Sequence, residues 1–323
     1  MLDLGRLRVL RELKLRGTVS AVADALGYSP SAVSQQLAQL QREVGVPVVE
    51  RAGRRLRLTE AGEVLAGHAE TLLASAQRAE EEALAASGRV AGTVRAVAFQ
   101  TALLHVVAPV LPRLAADHPE LIVEVVDEEF ARVLQALVLR EIDLVLTDEY
   151  THLPRPRRPE LNAEVLVSEP MRIALPAGHP LAARPGPVRM AELTEQVWAT
   201  GHVGTNHADL LERTCVELGG YRPVVRYRSN DLLVIFAVIA HGGAAAIVPD
   251  LALAEDQAGI VVRDIADARV SRRMVMWTRV GADVRPSVRA VLAALRDSAD
   301  ALVAGRPGLV RGVPDADSAP AAP

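Results

Sequence analysis

The stretch Gly17 to Glu43, GTVSAVADALGYSPSAVSQQLAQLQRE, constrains the fold more than any other part of the chain. It reads as two short helices joined by a tight turn. Ser20 is placed to cap the first, whose apolar face is Val22, Ala23, Ala25 and Leu26. Gly27 supplies the positive φ at which one helix stops and another leaves at a steep angle. Ser29 followed by Pro30 makes an N-cap and a first helical residue. Ala32, Val33, Leu37 and Leu40 then share one face, and Ser31, Ser34, Gln35, Gln36 and Gln39 lie mostly on the other. That outer face is polar but uncharged, whereas surface helices commonly carry Glu–Lys pairs. Ser and Gln offer hydrogen-bonding groups suited to base edges and phosphates in a major groove. A helix-turn-helix puts its second helix there, N-terminal residues first. Taken alone, the pattern also describes a capped amphipathic pair in an all-α region.

The charge is distributed to match the first alternative. The 323 residues carry a net charge of −4, but residues 1–58 hold ten basic and five acidic side chains, a local +5. A basic head on an acidic body fits a DNA-binding module attached to something else. A single cysteine, Cys215, excludes an internal disulfide and suits a reducing cytoplasm; with no motif around it, it reads as a small buried hydrophobe. Asp3, Arg6 and Arg8 interrupt any signal-like apolar run, and the longest apolar run, Leu232 to Ala240, is too short to span a bilayer. The expected location is the cytoplasm, with no membrane partner.

Around the central motif, Leu4, Leu7, Leu10 and Leu13 recur at helical spacing and predict a first helix beneath the pair. Gly53 marks a turn, and Leu56 and Leu58 alternate with Arg55 and Arg57. This is a small arginine-rich hairpin, either a solvated turn or, beside a helix-turn-helix, a wing on phosphate or the minor groove. Thr59 can cap a long helix in which Leu65, Ala69, Leu72, Ala76, Ala79 and Ala83 are spaced as a heptad seam. The seam predicts dimerisation, in keeping with twofold DNA half-sites. Ser87 to Gly92 then reads as a hinge.

Residues 17–62 resemble the DNA-binding head of a LysR-type transcriptional regulator. Leu40-Gln41-Arg42-Glu43-Val44-Gly45-Val46-Pro47-Val48-Val49-Glu50-Arg51 occupies the family's Leu-Glu-x-x-x-Gly-x-x-Leu-Phe-x-Arg segment, and Leu58-Thr59-Glu60-Ala61-Gly62 its Leu-Thr-x-x-Gly. Gln41 stands where Glu is usual, Val48-Val49 replace Leu-Phe, and Gln35 sits where Arg is common. The Gln35 difference shifts the expected base preference from guanine toward adenine. The expected DNA contacts are Ser29, Pro30, Ser31, Ser34, Gln35 and Gln36 on the second helix, with Arg51, Arg54 and Arg55 on the hairpin.

From Thr93 the pattern becomes strand, helix, strand, helix, strand: TVRAVAF, a helix over about 103–118, Leu121–Val126, a helix through Val133 to Val138, and Ile142–Thr147. This implies a parallel sheet with right-handed crossovers. A second α/β lobe is expected from about residue 166, with strands at 172–176, 196–201, 224–228 and 245–249, helices over 208–218 and 232–241, and Ser229-Asn230-Asp231 as a cap. The chain returns through Met274–Trp277 to a closing helix at 287–303. Two such lobes resemble the periplasmic-binding-protein-like effector domain of the family, as do Gly178-His179-Pro180-Leu181-Ala182 and the segment from Ala237 to Pro249. By position at strand ends and helix starts, the expected effector-binding residues are Phe99, Gln100, Thr101, Thr147, Asp148, Thr200, Gly201, Ser229 and Asn230. Helix N-termini favour a carboxylate ligand, while Asp148 and Glu149 suit an amino group.

The fold class expected is therefore α/β overall. Residues 1–58 form a mostly α winged helix-turn-helix, 59–92 a dimerisation helix and hinge, and 93–304 a two-lobed effector domain. Its lobe I covers about 93–165 and 267–304, its lobe II about 166–266, and residues 305–323 are a disordered tail. The expected function is sequence-specific, effector-modulated transcription regulation as a homodimer or homotetramer, without a cofactor or metal, with double-stranded DNA and RNA polymerase as partners. Two alternatives stand beside it: a DNA-binding regulator without a ligand, and a two-lobed α/β enzyme. Against the enzyme, the chain has no nucleophile elbow, no phosphate loop and no close His, Cys and acid set.

Overall fold

The computed structural model describes residues 2–52, 55–86, 88–127, 130–151, 153–253 and 258–312. The chain divides into two compact units, Met1–Arg89 and Val90–Pro323.

The first unit is three helices, a hairpin and a long helix: α1 (Leu4–Arg16), α2 (Val19–Leu26), α3 (Pro30–Val44), β1 (Val49–Ala52), β2 (Arg55–Leu58) and α4 (Glu60–Ala86). Asp3 accepts from the Arg6 amide to start α1, and Ser29 accepts from the Ala32 amide to start α3, with Pro30 at the first helical position. The cap of α2 is Thr18 and not the expected Ser20. Gly17 turns the chain at φ 73, so Thr18 is the extended residue whose hydroxyl reaches the Ala21 amide, and Ser20 falls inside the helix. Gly27, at φ 66, ends α2 as expected. Leu7, Leu10, Leu13, Val22, Val33, Leu37 and Leu40 form the core, joined by Val48, Ala66 and Ala69; Leu4 lies outside it.

Two departures from simple packing hold the hairpin to the helices. Gln41 turns its side-chain oxygen onto the Val48 and Val49 amides, at 3.0 and 3.2 Å, so an amide does here what a carboxylate would do. Thr59 starts α4 by accepting from the Gly62 amide and donates its own hydroxyl to the Pro47 carbonyl. The heptad seam divides: Leu65 and Ala69 pack within the unit, whereas Leu72 is 41 % exposed and Ala79 and Ala83 are exposed.

The second unit opens with β3 (Gly92–Ala98). A helical run follows: α5 (Gln100–Ala102), a π turn over Leu103–Val107, a 3-10 turn over Ala108–Val110, and α6 (Leu111–Asp117). It begins three residues earlier than the sequence suggests. Pro109 has no N–H for the carbonyl four residues back, and the chain widens into the π turn just before it. Next come β4 (Leu121–Val126), α7 (Phe130–Val138), β5 (Leu144–Tyr150) and β6 (Leu161–Pro176). After β6 come β7 (Val197–Thr200), α8 (Asn206–Thr214), β8 (Val224–Arg228), α9 (Leu232–Gly242), β9 (Ala246–Pro249), β10 (Ile260–Arg263), β11 (Ser271–Arg279), α10 (Pro286–Gly305) and β12 (Val310–Arg311).

In the lobe I sheet β3 pairs in parallel with β4 and β5, whereas β11 runs antiparallel to both β5 and β6, so that sheet is mixed. Strand β6 is one unbroken 16-residue element that belongs to both lobes: residues up to Pro170 pair with β11, and those from Met171 pair with β9 and β10. Helix α10 packs its Val288, Val291, Leu292 and Leu295 on one face of the first sheet. Trp198, Leu210, Leu211 and Cys215 build the second lobe's core on Ile173 and Ile247. The tail expected to be disordered from 305 is folded as far as Gly312. β12 pairs with Ser168 and Val167 of β6, Leu309 is 6 % exposed, and the Gly312 carbonyl accepts from Ser168 Oγ. A free edge on β6 supplies backbone partners that composition does not advertise. Residues 313–323 lie outside the described residues.

Gly62 has no room for a side chain, because a Cβ there would stand 2.0 Å from the Val48 carbonyl oxygen. Gly62→Ala is expected to destabilise the first unit by about 1–3 kcal/mol or more, since backbone and not a flexible side chain is in the way. Gly67→Ala on the same helix, with open space around it, is the control and should be neutral or stabilising. Urea denaturation of the full chain measures both.

Candidate DNA interface and lobe junction

In the first unit, Ser29, Pro30, Ser31, Ser34 and Gln35 are all exposed at the N-terminal end of α3. Their chemistry differs. Ser29 Oγ accepts from the Ala32 amide and lies 2.9 Å from Ser31 Oγ, and Ser34 Oγ donates to the Pro30 carbonyl. Gln35 projects into solvent. Gln36 is turned aside: it is half-buried, with Oε1 accepting from Arg6 Nε at 3.2 Å, and Arg6 also pairs with Glu43. An arginine only donates, so the oxygen must face Arg6 whichever way the amide is drawn. Arg51 is exposed on β1. Arg54 lies outside the described residues, and of Arg55 only the backbone on β2 is described. Arg57 pairs across the hairpin with Glu50. Beneath the interface Glu12 is buried between two arginines. Burial works against its charge, but hydrogen bonds from Arg11 and Arg16 hold its carboxyl below the usual range.

In the second unit the expected effector residues gather where the lobes meet, but most are already engaged. Thr101 is buried, its Oγ1 accepting from Arg272 Nη2 at 2.7 Å, and the Arg272 guanidinium lies over the Phe99 ring at 5.0 Å. Thr147 is buried and accepts from Trp277 Nε1. Asp148 accepts from the Tyr150 hydroxyl and pairs with Arg155, and buried Glu149 pairs with Arg157, so neither carboxylate is left over for a ligand's amino group. Thr200 donates to the His207 carbonyl and Gly201 donates its amide to His207 Nδ1, 3.1 Å away. Asn230 accepts from the His202 amide, and Ser229 accepts from the Asp231 amide. Gln100 reaches across the junction with its side chain. Its Nε2 donates to Asp231 Oδ1 at 3.1 Å and its Oε1 accepts from the Leu232 amide at 3.2 Å.

The sequence reading passed over the groups that hold this junction. Tyr150, Arg272 and Glu169 are cross-strand partners on β5, β11 and β6. Arg272 donates twice to Glu169 Oε1, at 2.9 and 2.6 Å, with both side chains at most 4 % exposed. Glu169 Oε2 accepts from the Leu251 amide, whose carbonyl accepts from His105 Nε2. Charged residues within two otherwise apolar strands were the available signal. Asp127 is pushed up from the usual carboxylate range by burial and then by Asp231. Among the described residues no helix is long and apolar enough to cross a membrane, and no group of three His, Cys, Asp or Glu is placed to hold a metal.

Helix-turn-helix, hairpin and two-lobed α/β domain define a transcriptional regulator with a separate sensing domain. Residues 4–63 match the model of the bacterial regulatory helix-turn-helix protein of the lysR family, and residues 87–300 that of the LysR substrate binding domain. The chain therefore belongs to the LysR family of DNA-binding transcriptional regulators. It is 26 % identical to the transcriptional dual regulator GltC of Bacillus subtilis, over 79 % of this chain and 83 % of that one. It is 33 % identical to a probable hydrogen peroxide-inducible genes activator of Mycobacterium xenopi, over 56 % of this chain and 93 % of that one. Among solved structures it is similar in fold to a full-length OxyR variant from Pseudomonas aeruginosa, with TM-score 0.64 and 22 % identity over 93 % of this chain and 95 % of that one. It is likewise similar to full-length CbnR complexed with its target DNA, with TM-score 0.52 and 20 % identity over 92 % and 100 %.

The junction carries a pH dependence. His207 donates from Nε2 to the Ile247 carbonyl and accepts at Nδ1, which is the neutral ring, and burial holds its pKa below the ordinary 6.5. The unfolded chain takes up a proton near 6.5 that the folded chain refuses. The stabilisation is thus complete above that pH and is lost as pH falls below it. His105, lowered by burial as well, adds in the same direction. Thermal unfolding between about pH 7.5 and about pH 5.5 should show a falling midpoint, with a shallower slope in His207→Gln. An unchanged slope would place the titration elsewhere.

Proposed function

We propose that the chain binds operator DNA as a homodimer, with α3 in the major groove and the hairpin on the backbone, and that a small polar effector acting between the two lobes regulates it. Gln35 is assigned to base edges, with Pro30 and the serines at 29, 31 and 34 close against the groove. Arg51, Arg54 and Arg55 are assigned to phosphate. The exposed part of the α4 seam, from Leu72 to Ala83, supports the dimer, and contacts between effector domains extend it to a tetramer. The protein works in the cytoplasm, and RNA polymerase is the expected partner once DNA is bound.

The observation that carries the effector reading is Gln100. From the first lobe its amide offers a donor to Asp231 and an acceptor to the Leu232 amide, both at the start of α9 in the second lobe. An amino acid has the same pair of functions, an ammonium for Asp231 and a carboxylate for the helix start, and so has the chemistry to replace Gln100 there. A ligand shifts the lobes only as far as it prefers one arrangement over another. A peroxide stimulus is a poorer fit, although relatives carry that name. Cys215 is buried, its thiol pushed up to about 11 by that burial, and a thiol kept protonated is a weak nucleophile.

Two variants separate the DNA roles. On a duplex that the wild-type protein has selected from a random library, Gln35→Ala should lose discrimination against a scrambled duplex, about 1–3 kcal/mol. Arg51→Ala should weaken binding to both duplexes alike and lower the salt slope by about one. Fluorescence anisotropy across a salt series measures both, and equal losses on the two duplexes for Gln35→Ala would overturn its role.

A further inference from the structure

Tyr28 stands between the two helices of the motif and was given no role by the sequence pattern. Its backbone is fixed on both sides: Gly27 is left-handed at φ 66, Ser29 is extended at ψ 151, and the Tyr28 amide donates to the Ala23 carbonyl. An aromatic residue just before an N-cap commonly packs onto the first turn of the helix it precedes. Tyr28 does not join the core in this way. Its side chain is 51 % exposed, and it is absent from the hydrophobic cluster that gathers Val19, Leu26, Val33 and Leu37.

The neighbouring polar groups sharpen the point. The hydroxyls of Ser29, Ser31 and Ser34 are turned to one another or to the backbone of α3, and Gln36 is turned to Arg6. At the groove-facing end of α3 the long side chains that project outward are therefore Gln35, from within the helix, and Tyr28, from the turn ahead of it. A residue ahead of the recognition helix lies where the chain meets the sugar-phosphate backbone, not the base edges.

We infer that Tyr28 is a DNA-contacting residue, its phenolic hydroxyl donating to a phosphate oxygen at the edge of the operator and its ring lying against the adjacent sugar. The contact fixes the register of α3 in the groove. It rests on the DNA-binding function of the family and extends the set of contacting residues. A phenol is neutral, so it holds phosphate without displacing a counterion. This separates it from the arginines of the hairpin, each of which adds to the salt dependence.

The test compares wild type, Tyr28→Phe and Tyr28→Ala by fluorescence anisotropy on the duplex selected by the wild-type protein and on its scrambled counterpart, over a salt series. Tyr28→Phe keeps the ring and the fold and should weaken binding to both duplexes by about threefold to tenfold, the loss of one hydrogen bond, with the salt slope unchanged. Tyr28→Ala should weaken both further. Wild-type affinity in Tyr28→Phe overturns the assignment, and so does a loss confined to the selected duplex, which would mean a base contact. If the wild-type protein selects no sequence, the operator reading fails, while the scrambled duplex still tests Tyr28.

Discussion

The effector domain turns on one buried ion pair. Arg272 and Glu169 face each other from neighbouring strands with almost no access to water. Burying two charges costs several kcal/mol each, and their attraction offsets that only when every remaining donor and acceptor is satisfied. Here Thr101 and the Phe99 ring take the rest of the guanidinium, and the Leu251 amide takes the other carboxylate oxygen. Those partners come from distant parts of the chain: Thr101 follows β3, and Leu251, just past β9 of the second lobe, packs in the first lobe's core. The pair therefore anchors the chain where it returns from β9 into the first lobe, and β6, continuous through both lobes, sets where they meet. Against this fixed point the Gln100 bridge is the weaker contact, formed by neutral amide groups and an exposed carboxylate, and it is the one the proposed effector would replace.

The DNA-binding unit follows the same logic on a smaller scale. Its first three helices are separated by glycines in the left-handed region, with Thr18 one residue past Gly17 and Ser29 two past Gly27 capping the next helix. The hairpin has little core of its own, so it is held by backbone recognition: Gln41 on two amides, Thr59 on a carbonyl, and Gly62 pressed against Val48. These contacts explain why a Leu-Thr-x-x-Gly run and an acceptor at position 41 belong together, since all of them converge on the Pro47–Val49 backbone.

Where local chemistry decided the structure, the sequence was readable. Ser29-Pro30, Gly27 and Thr59 act on their own neighbours, and the apolar alternation of β3 and β4 needs only a sheet to join. What was hidden depended on partners distant in the chain. Of strand β6 only residues 172–176 were expected as strand, because Glu164, Ser168 and Glu169-Pro170 break the apolar run before them, yet Ser168 and Glu169 are satisfied by the tail, by Arg272 and by Leu251. β12 was invisible because a two-residue strand exists only through the edge it meets. Thr18 and Ser20 are equivalent as capping residues, and only the turn at Gly17 chose between them. At the positions expected to bind an effector, the placement at strand ends and helix starts was legible, but the engagement of those residues by Arg272, Tyr150, His207 and Arg155 was not.

A double-mutant cycle on the central pair tests this account most directly. Arg272→Met leaves a carboxylate buried without its partner, and Glu169→Gln leaves a guanidinium so; each should destabilise the effector domain by about 3–5 kcal/mol. The double variant removes both charges and keeps an acceptor for Leu251, and its loss should be well below the sum of the two single losses, with a coupling of at least about 1 kcal/mol. Small and additive losses would contradict the account, because the return from β9 into the first lobe would then be anchored by something other than this pair.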